Sequence, residues 1–329
     1  MNDVFNVIQQ YLDYLQSVRR CSQRTLEAYN NDLLRYSNYC TNHGFSAMNA
    51  SSYEVQSFIA DLSAENIAAT SVNRCLSSIR GFYRWMILFD KRKDNPCSAL
   101  KNLKTPVCLP VVLWEDEMAD FARLPEKQKI LWPQRDKALI MAMYSSGLRI
   151  SELVTLCMTN ISHSLDSARI TGKGGKQRYV FFSDEARKAI IDYLPHRVAC
   201  LRTAGIDEKK SSLFINRRGQ SISVPGVRWI ISRYAEYACS QRSKSGENIH
   251  PHALRHSFAT HLVNSGCDIR IVQEMMGHSS VSTTQRYAHV NIEKMKKVYK
   301  NAHPHAKAAP VLHSNKNSIR TSTEGRHAE

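Results

Sequence analysis

The sequence predicts a mainly α-helical protein of two domains, with one small β-hairpin in the second. Three observations lead there. The chain has 329 residues, enough for two domains at the usual ~100–200 residues each. Its first 90 residues repeat apolar side chains at three- and four-residue steps, the period of a helix face. Two β-prone runs, 168–171 (ARIT) and 178–182 (RYVFF), flank GKGGKQ, whose glycines suit a hairpin turn.

Each element follows from its local pattern. Val4, Val7, Ile8, Tyr11, Leu12, Leu15 and Val18 make the first stripe. Ser22 is the N-cap of a second helix through Leu26, Tyr29, Leu33, Leu34 and Tyr36. Tyr53, Val55, Phe58, Ile59 and Leu62 predict a third, and Val72, Leu76, Ile79, Phe82, Tyr83 and Met86 a fourth. Residues 91–110 open on a basic run and hold three prolines, which suits an extended linker. Beyond it, Ala138–Tyr144 reads as a buried helix stopped near Gly147, and a further helix begins at Ser151 and reaches Met158. Helices over 253–265, 268–276 and 281–288 follow, punctuated by Gly266 and Gly277, with Asp268 as an N-cap. Ile292, Met295, Val298, Tyr299 and Ala302 form a last stripe. The Ser/Asn/Thr/His-rich tail 306–329 has no periodicity and is expected to be disordered. The domains are therefore 1–90, a linker 91–110, and 111–305.

Charge narrows the function class. There are 45 Lys and Arg against 29 Asp and Glu, a formal charge of +16. The excess is concentrated: 12 basic against 9 acidic residues in 1–105, 29 against 18 in 106–305, and 4 against 2 in the tail. A protein this basic usually meets a polyanion, and nucleic acid is the first candidate. The longest apolar run, Ala138–Tyr144, falls far short of the roughly 18 residues of a membrane span. The start Met1-Asn2-Asp3 has no basic stretch leading into an apolar core, so no secretory signal is expected. The nine Cys show no C-x-x-C and no zinc-finger spacing, which suits free thiols in a reducing cytoplasm.

Five places in the second block carry residue types suited to gripping and cleaving a phosphodiester. They are Gly147–Arg149, the GKGGK run Gly172–Lys176, HALRH at His252–His256, Gly277–His278, and Tyr287. Taken singly, each has a plain reading: a surface Arg, a turn Lys, a helix-start His, a solvated Arg, a capping His, a core Tyr. His252 and Arg255 lie three apart and can share a helix face.

The ordered combination is more telling. Arg149, a glycine-flanked Lys in a hairpin, H-x-x-R, G-H, then a Tyr nine residues later resembles the tyrosine recombinase, or phage integrase, family. The likeness covers about residues 3–305. The stretches TLEAYNNDL, SSIRGFYRWM, YSSGLRISELVTL, GKGGKQR and HPHALRHSFATHLVNSGCDIRIVQEMMGHSSVSTTQRYAHV place it nearest the Xer subgroup.

The resemblance implies a chemistry that the residue types suit. Tyr287 is the implied nucleophile, leaving a 3′-phosphotyrosyl link and a free 5′-hydroxyl; the covalent link keeps the bond energy, so rejoining needs no ATP. Arg149 and Arg255 match the two arginines that clamp the scissile phosphate, where the planar fork of Arg serves better than a Lys point charge. Lys173 matches the general acid for the leaving 5′-oxygen, and Lys176 is left as a phosphate contact or a surface charge. His252 and His278 match the family histidines that assist proton transfer. Glu152 matches an acidic family position; it either orients an active-site group or simply favours a helix start.

His252, His256 and His261 invite a metal reading, but there is no H-E-x-x-H and no completing carboxylate pair, so neither metal nor other cofactor is expected. His256 and His261 are expected to be structural.

In the first domain, taken as the implied DNA-clamp half, Arg80 and Arg84 share a face and are candidates for DNA-backbone contact, as are Arg19, Arg20, Arg24 and Arg74. The implied architecture is a two-domain, C-shaped clamp on double-stranded DNA at a dif-like site, in the cytoplasm at the nucleoid. The implied partners are a second tyrosine recombinase in a heterotetramer and a septal DNA translocase. The stripe from Ile292 to Ala302 then docks into a neighbouring subunit, or packs on its own domain. The implied outcome is chromosome-dimer resolution for segregation at cell division; a mobile-element integrase and a non-catalytic architectural protein are the alternatives.

Overall fold

A computed structural model describes residues 2–105, 111–128, 131–172, 175, 177–209, 211–241, 249–277 and 292–304. The chain divides into two compact units, Met1–Cys108 and Leu109–Glu329. The described residues are mostly helical, with one two-stranded antiparallel sheet. The expected helix over 281–288 and the tail 306–329 lie outside the described residues.

The first unit holds α1 (Asn2–Ser17), α2 (Gln23–Asn42), α3 (Ser52–Ala64) and α4 (Ala69–Leu88). The four predicted stripes become its core, with α4 contributing Val72, Leu76, Ile79, Phe82, Tyr83 and Met86. Two expected members face solvent. Val18 lies past the end of α1, and Tyr53 sits off the Val55–Phe58–Ile59–Leu62 stripe of α3. Ser22 caps α2 by accepting from the amide of Thr25, and Ser51 and Glu54 form a capping box on α3. The buried Tyr36 and Tyr83 keep their hydroxyls bonded: the two meet at 2.8 Å, and Tyr83 donates to Ala47 O at 2.6 Å. The stretch from residue 91 is fastened to this unit. Arg92 donates to the carbonyls of Met48 and Ala50, Asn73 brackets the backbone of Leu103, and Cys97 is buried.

The second unit is built around a helix that is buried nearly all round. In order come α5 (Glu115–Gln128), α6 (Pro133–Ser146), α7 (Ile150–Val154), β1 (Ser167–Thr171), β2 (Gln177–Phe181), α8 (Asp184–Ala204), α9 (Val224–Gln241), α10 (Pro251–Asn264), α11 (Ile269–Met276) and α12 (Ile292–Ala302). Every residue from Ala138 to Ser146 of α6 is buried, and α5, α8 and α10 pack on it. Pro133 opens α6 and Gly147 ends it in the left-handed region at φ 59°. The helix expected from Ser151 to Met158 is shorter than predicted. It ends at Val154, because Cys157 pairs as an isolated bridge with Ser212 and Leu156 O accepts from the amide of Leu213; one 3₁₀ turn follows at Met158–Asn160. The predicted hairpin is present, in register from Ser167↔Phe181 to Thr171↔Gln177.

Three helices, α5, α8 and α9, were not expected from the sequence; α5 and α8 carry Pro125 and Pro195 in their interiors. The last stripe packs on its own unit, with Met295, Tyr299 and Ala302 buried, Tyr299 donating to Ser145 O at 2.9 Å and Lys296 paired with Asp166.

Gly147 offers a direct test of this packing. A Cβ there would stand 2.4 Å from Phe258 Cδ1 on α10, and the backbone is left-handed. Gly147→Ala is expected to cost about 2–3 kcal/mol through overpacking and strain, measured by urea denaturation against wild type.

Candidate active site

The site begins where α6 stops. Gly147 turns the chain out of the helix, and Arg149 follows as the extended residue that leads into α7. One turn on, the carboxylate of Glu152 folds back. Its Oε2 accepts the amide of Arg149 at 2.8 Å and its Oε1 accepts Arg149 Nη1 at 3.0 Å. Glu152 thus both caps the helix start and holds a guanidinium, which joins the two readings its position allowed. It is 7% exposed.

A second arginine reaches the same carboxylate from β2. Arg178 donates Nη1 to Oε1 and Nη2 to Oε2, both at 2.8 Å, in a two-pronged pair. Its Nε donates to Met275 O at 3.0 Å. From α10, Arg255 donates to Gly147 O and Met276 O, and Arg149 Nη2 donates to Gly277 O at 2.9 Å. Three successive carbonyls at the end of α11 therefore each take one guanidinium. Those carbonyls have no partner within their helix, and the negative end of the helix favours cations. Gly277 lets this happen: its φ is +65°, and a Cβ would sit 3.2 Å from Arg178 Cδ, Nε and Cζ.

The charge balance is uneven. Arg149, Arg178 and Arg255 surround one acid, Glu152. Burial, and then the neighbouring charge of Arg149, push Arg255 down to about 10 despite the help of Glu152. Burial would raise the Glu152 carboxyl, but the hydrogen bonds from Arg178 and from the Arg149 backbone, with the charges of both arginines, hold it below the ordinary carboxylate range. Arg149 spends two of its five N–H donors on described partners and so does Arg255. The remainder suit a further anion with oxygens spaced like those of a phosphate.

His252 lies in the first turn of α10, ahead of Arg255, and is exposed. Partial burial, then His250, His256, Arg255 and Arg228, hold it below its ordinary value, which favours the neutral imidazole. His250 caps α10 by accepting from the amide of Ala253. His261 is buried against α6, with Nδ1 2.8 Å from Tyr144 Oη. His256 is exposed instead of packed, because the apolar face of α10 is Leu254, Phe258 and Leu262. Lys173, Lys176, His278 and Tyr287 lie outside the described residues. Arg80 and Arg84 belong to α4 of the first unit; Arg80 donates to Leu100 O at 2.8 Å and Arg84 is exposed. Among the described residues no group of three or more His, Cys, Asp or Glu stands close enough to hold a metal ion, and no helix is long and apolar enough to cross a membrane.

Sequence reasoning missed Arg178. Its one signal is strand alternation: it shares the inward face of β2 with the buried Val180, and an inward Arg needs an acid.

Residues 112–294 match the model of the phage integrase family, and residues 8–88 match that of the phage integrase N-terminal SAM-like domain. The chain belongs to the phage integrase family. Its sequence relatives in that family are tyrosine recombinases. The tyrosine recombinase XerC of Treponema denticola is 38% identical over 313 residues, covering 93% of this chain and 100% of that protein. XerC of Listeria monocytogenes is 33% identical over 299 residues, covering 91% and 97%. The family fold is shared with the Tn1549 transposon integrase in complex with circular intermediate DNA (TM-score 0.66, 18% identity, 88% of this chain and 98% of that one). It is also shared with the XerH recombinase bound to palindromic difH substrate (TM-score 0.63, 20% identity, 88% and 83%). The chain is thus a tyrosine site-specific recombinase of the Xer type, and the mainly helical fold with its small hairpin is the fold of this family.

The Glu152 hub has a pH signature. Its depressed folded-state pKa contributes stability that is fully present above the unfolded carboxylate value of about 4.3 and is lost as pH falls toward the folded value. Glu152→Gln is expected to cost about 3 kcal/mol at pH 7, by leaving buried guanidiniums short of a counter-charge. The gap from wild type should close as pH drops below about 4, read by urea denaturation across pH.

Proposed function

We propose that this recombinase cuts and rejoins double-stranded DNA at a dif-like site through a 3′-phosphotyrosyl intermediate, and so resolves chromosome dimers before cell division. The observation that carries the chemistry is the pair Arg149 and Arg255, fixed on carbonyls at the ends of α6 and α11, with Arg149 sharing Glu152 with a third arginine, Arg178. A site short of negative charge, with N–H donors to spare, stabilises the charge that builds on a phosphate as the nucleophile adds.

In this reading Arg149 and Arg255 grip the non-bridging oxygens. Tyr287 attacks phosphorus, the P–O5′ bond breaks, and the pair of electrons leaves with the 5′-oxygen. Lys173 supplies the proton to that oxygen, with Lys176 as a neighbouring phosphate contact. His252 and His278 assist proton transfer and phosphate contact; the surroundings of His252 favour its neutral form, which can accept a proton. Rejoining reverses these steps with a new 5′-hydroxyl. The positive charge comes from arginines, so no metal takes part.

The wider setting follows the XerC relatives, which match over nearly their whole length. The chain acts in the cytoplasm, in a heterotetramer with a second, XerD-like tyrosine recombinase, under a septal DNA translocase. Arg80 and Arg84 contact the DNA backbone from the first unit.

Covalent capture tests this. The protein is incubated with sheared DNA of its source genome, with and without a partner recombinase, then denatured, and the ends of protein-linked fragments are sequenced. Adducts at one chromosomal locus are expected. Adducts at dispersed or element-borne sites would overturn dimer resolution in favour of an integrase. Tyr287→Phe should lose the adduct and keep duplex binding within about twofold, since only the nucleophilic oxygen is gone; residual adduct would mean another nucleophile. Cleavage should persist in EDTA, and loss that Mg²⁺ restores would overturn the metal-free mechanism.

A further inference from the structure

We infer that Arg178 is a positioning residue of the reaction, acting on the phosphate grip of Arg149 and Arg255 without touching DNA itself. The inference rests on the recombinase reading above and goes beyond the six residues that reading assigns to catalysis.

The division of labour among the arginines carries it. The Arg178 side chain is 11% exposed and that of Arg149 is 37% exposed, yet both are bonded to the one buried carboxylate. Arg178 takes both oxygens of Glu152. Arg149 holds the same carboxylate through Nη1 alone among its side-chain nitrogens. A carboxylate facing a single arginine tends to lock it in a two-pronged pair, which uses two donors and cancels its charge. Here the buried arginine occupies that place. Arg149 is left steadied but not neutralised, with donors remaining for an incoming anion.

Arg178 reaches the second grip residue by another route. Its Nε holds Met275 O, and the next carbonyl, Met276 O, anchors Arg255. Gly277, which lies against the Arg178 side chain, supplies the carbonyl that anchors Arg149. One side chain therefore sets the acid under Arg149 and the strip of backbone on which both grip residues rest. No Lys could do this, since its single ammonium cannot span two carboxylate oxygens and a carbonyl 97 residues away in sequence.

The test separates positioning from general loss of structure by changing the substrate as well as the protein. Arg178→Ala and Arg178→Lys are assayed for covalent adduct on a nicked duplex carrying the sequence recovered by genomic capture. A second duplex has an uncharged methylphosphonate in place of the scissile phosphate, which removes the need for a charge grip. Arg178→Ala is expected to slow cleavage of the phosphodiester about 100-fold, the scale of a misplaced reacting group, and cleavage of the methylphosphonate less than about threefold relative to wild type. Duplex binding should hold within about twofold, because the contacts that position the duplex lie elsewhere. Arg178→Lys keeps the charge and stands in if the Ala variant fails to fold; it should show the same selective loss. Combining Arg178→Lys with Glu152→Gln should cost little more than either alone, as for residues acting as one unit.

Equal losses on both substrates, or no loss, would overturn the inference and leave the recombinase reading intact. Absence of adduct from the wild-type protein, with partner recombinase present, would overturn both.

Discussion

One buried carboxylate sets the geometry on which the cationic cluster depends. Glu152 receives Arg149 from its own turn and Arg178 from the neighbouring strand. Removing a cation such as Arg178 from water is costly, and an acid with well-formed hydrogen bonds is what makes its burial tolerable. The ends of α6 and α11 supply the other half of the arrangement. Their last carbonyls need donors, and Arg149, Arg178 and Arg255 need acceptors. Each requirement answers the other, so the cluster is fixed by ordinary helix-end chemistry.

The rest of the second unit serves to place α6. Its sides are closed by α5, α8 and α10, and its charged first turn is settled internally, with Arg135 on Asp136 and Tyr234 donating to the same carboxylate at 3.0 Å. A helix gripped this way cannot shift without opening the core. The position of Gly147 O, and hence of Arg255, is inherited from that grip. The cluster is rigid because its scaffold is a spine and not a loop.

What the sequence disclosed and what it withheld divide along physical lines. The helices α1 to α4, the caps at Ser22 and Asp268, the stop at Gly147 and the hairpin were all legible, because each is written in residues a few positions apart. The helices α5 and α8 were hidden by Pro125 and Pro195, which read as breakers but are accommodated by packing. Arg149, Arg255 and Glu152 could be picked out by type and order. Their bonding could not, since it joins positions 108, 128 and 26 residues apart. Arg178 went unnoticed for the same reason: its meaning lies in Glu152 and Met275, neither of which is near it in the chain. The burial of α12 on its own unit was one of two readings that the sequence left open, because an amphipathic stripe shows that a face needs covering and not what covers it.

The docking of α12 bears on how the protein is made. Tyr299 closes over the end of α6 by donating to Ser145 O, a carbonyl 154 residues earlier. Met295 and Ala302 fill the same core. On the ribosome α6 is synthesised long before these residues exist, so the contacts that cover its end can form only once α12 has been made. Completion of the core is deferred to the last part of translation, and a ribosome that stops short of α12 releases a chain missing a structural piece of its second unit.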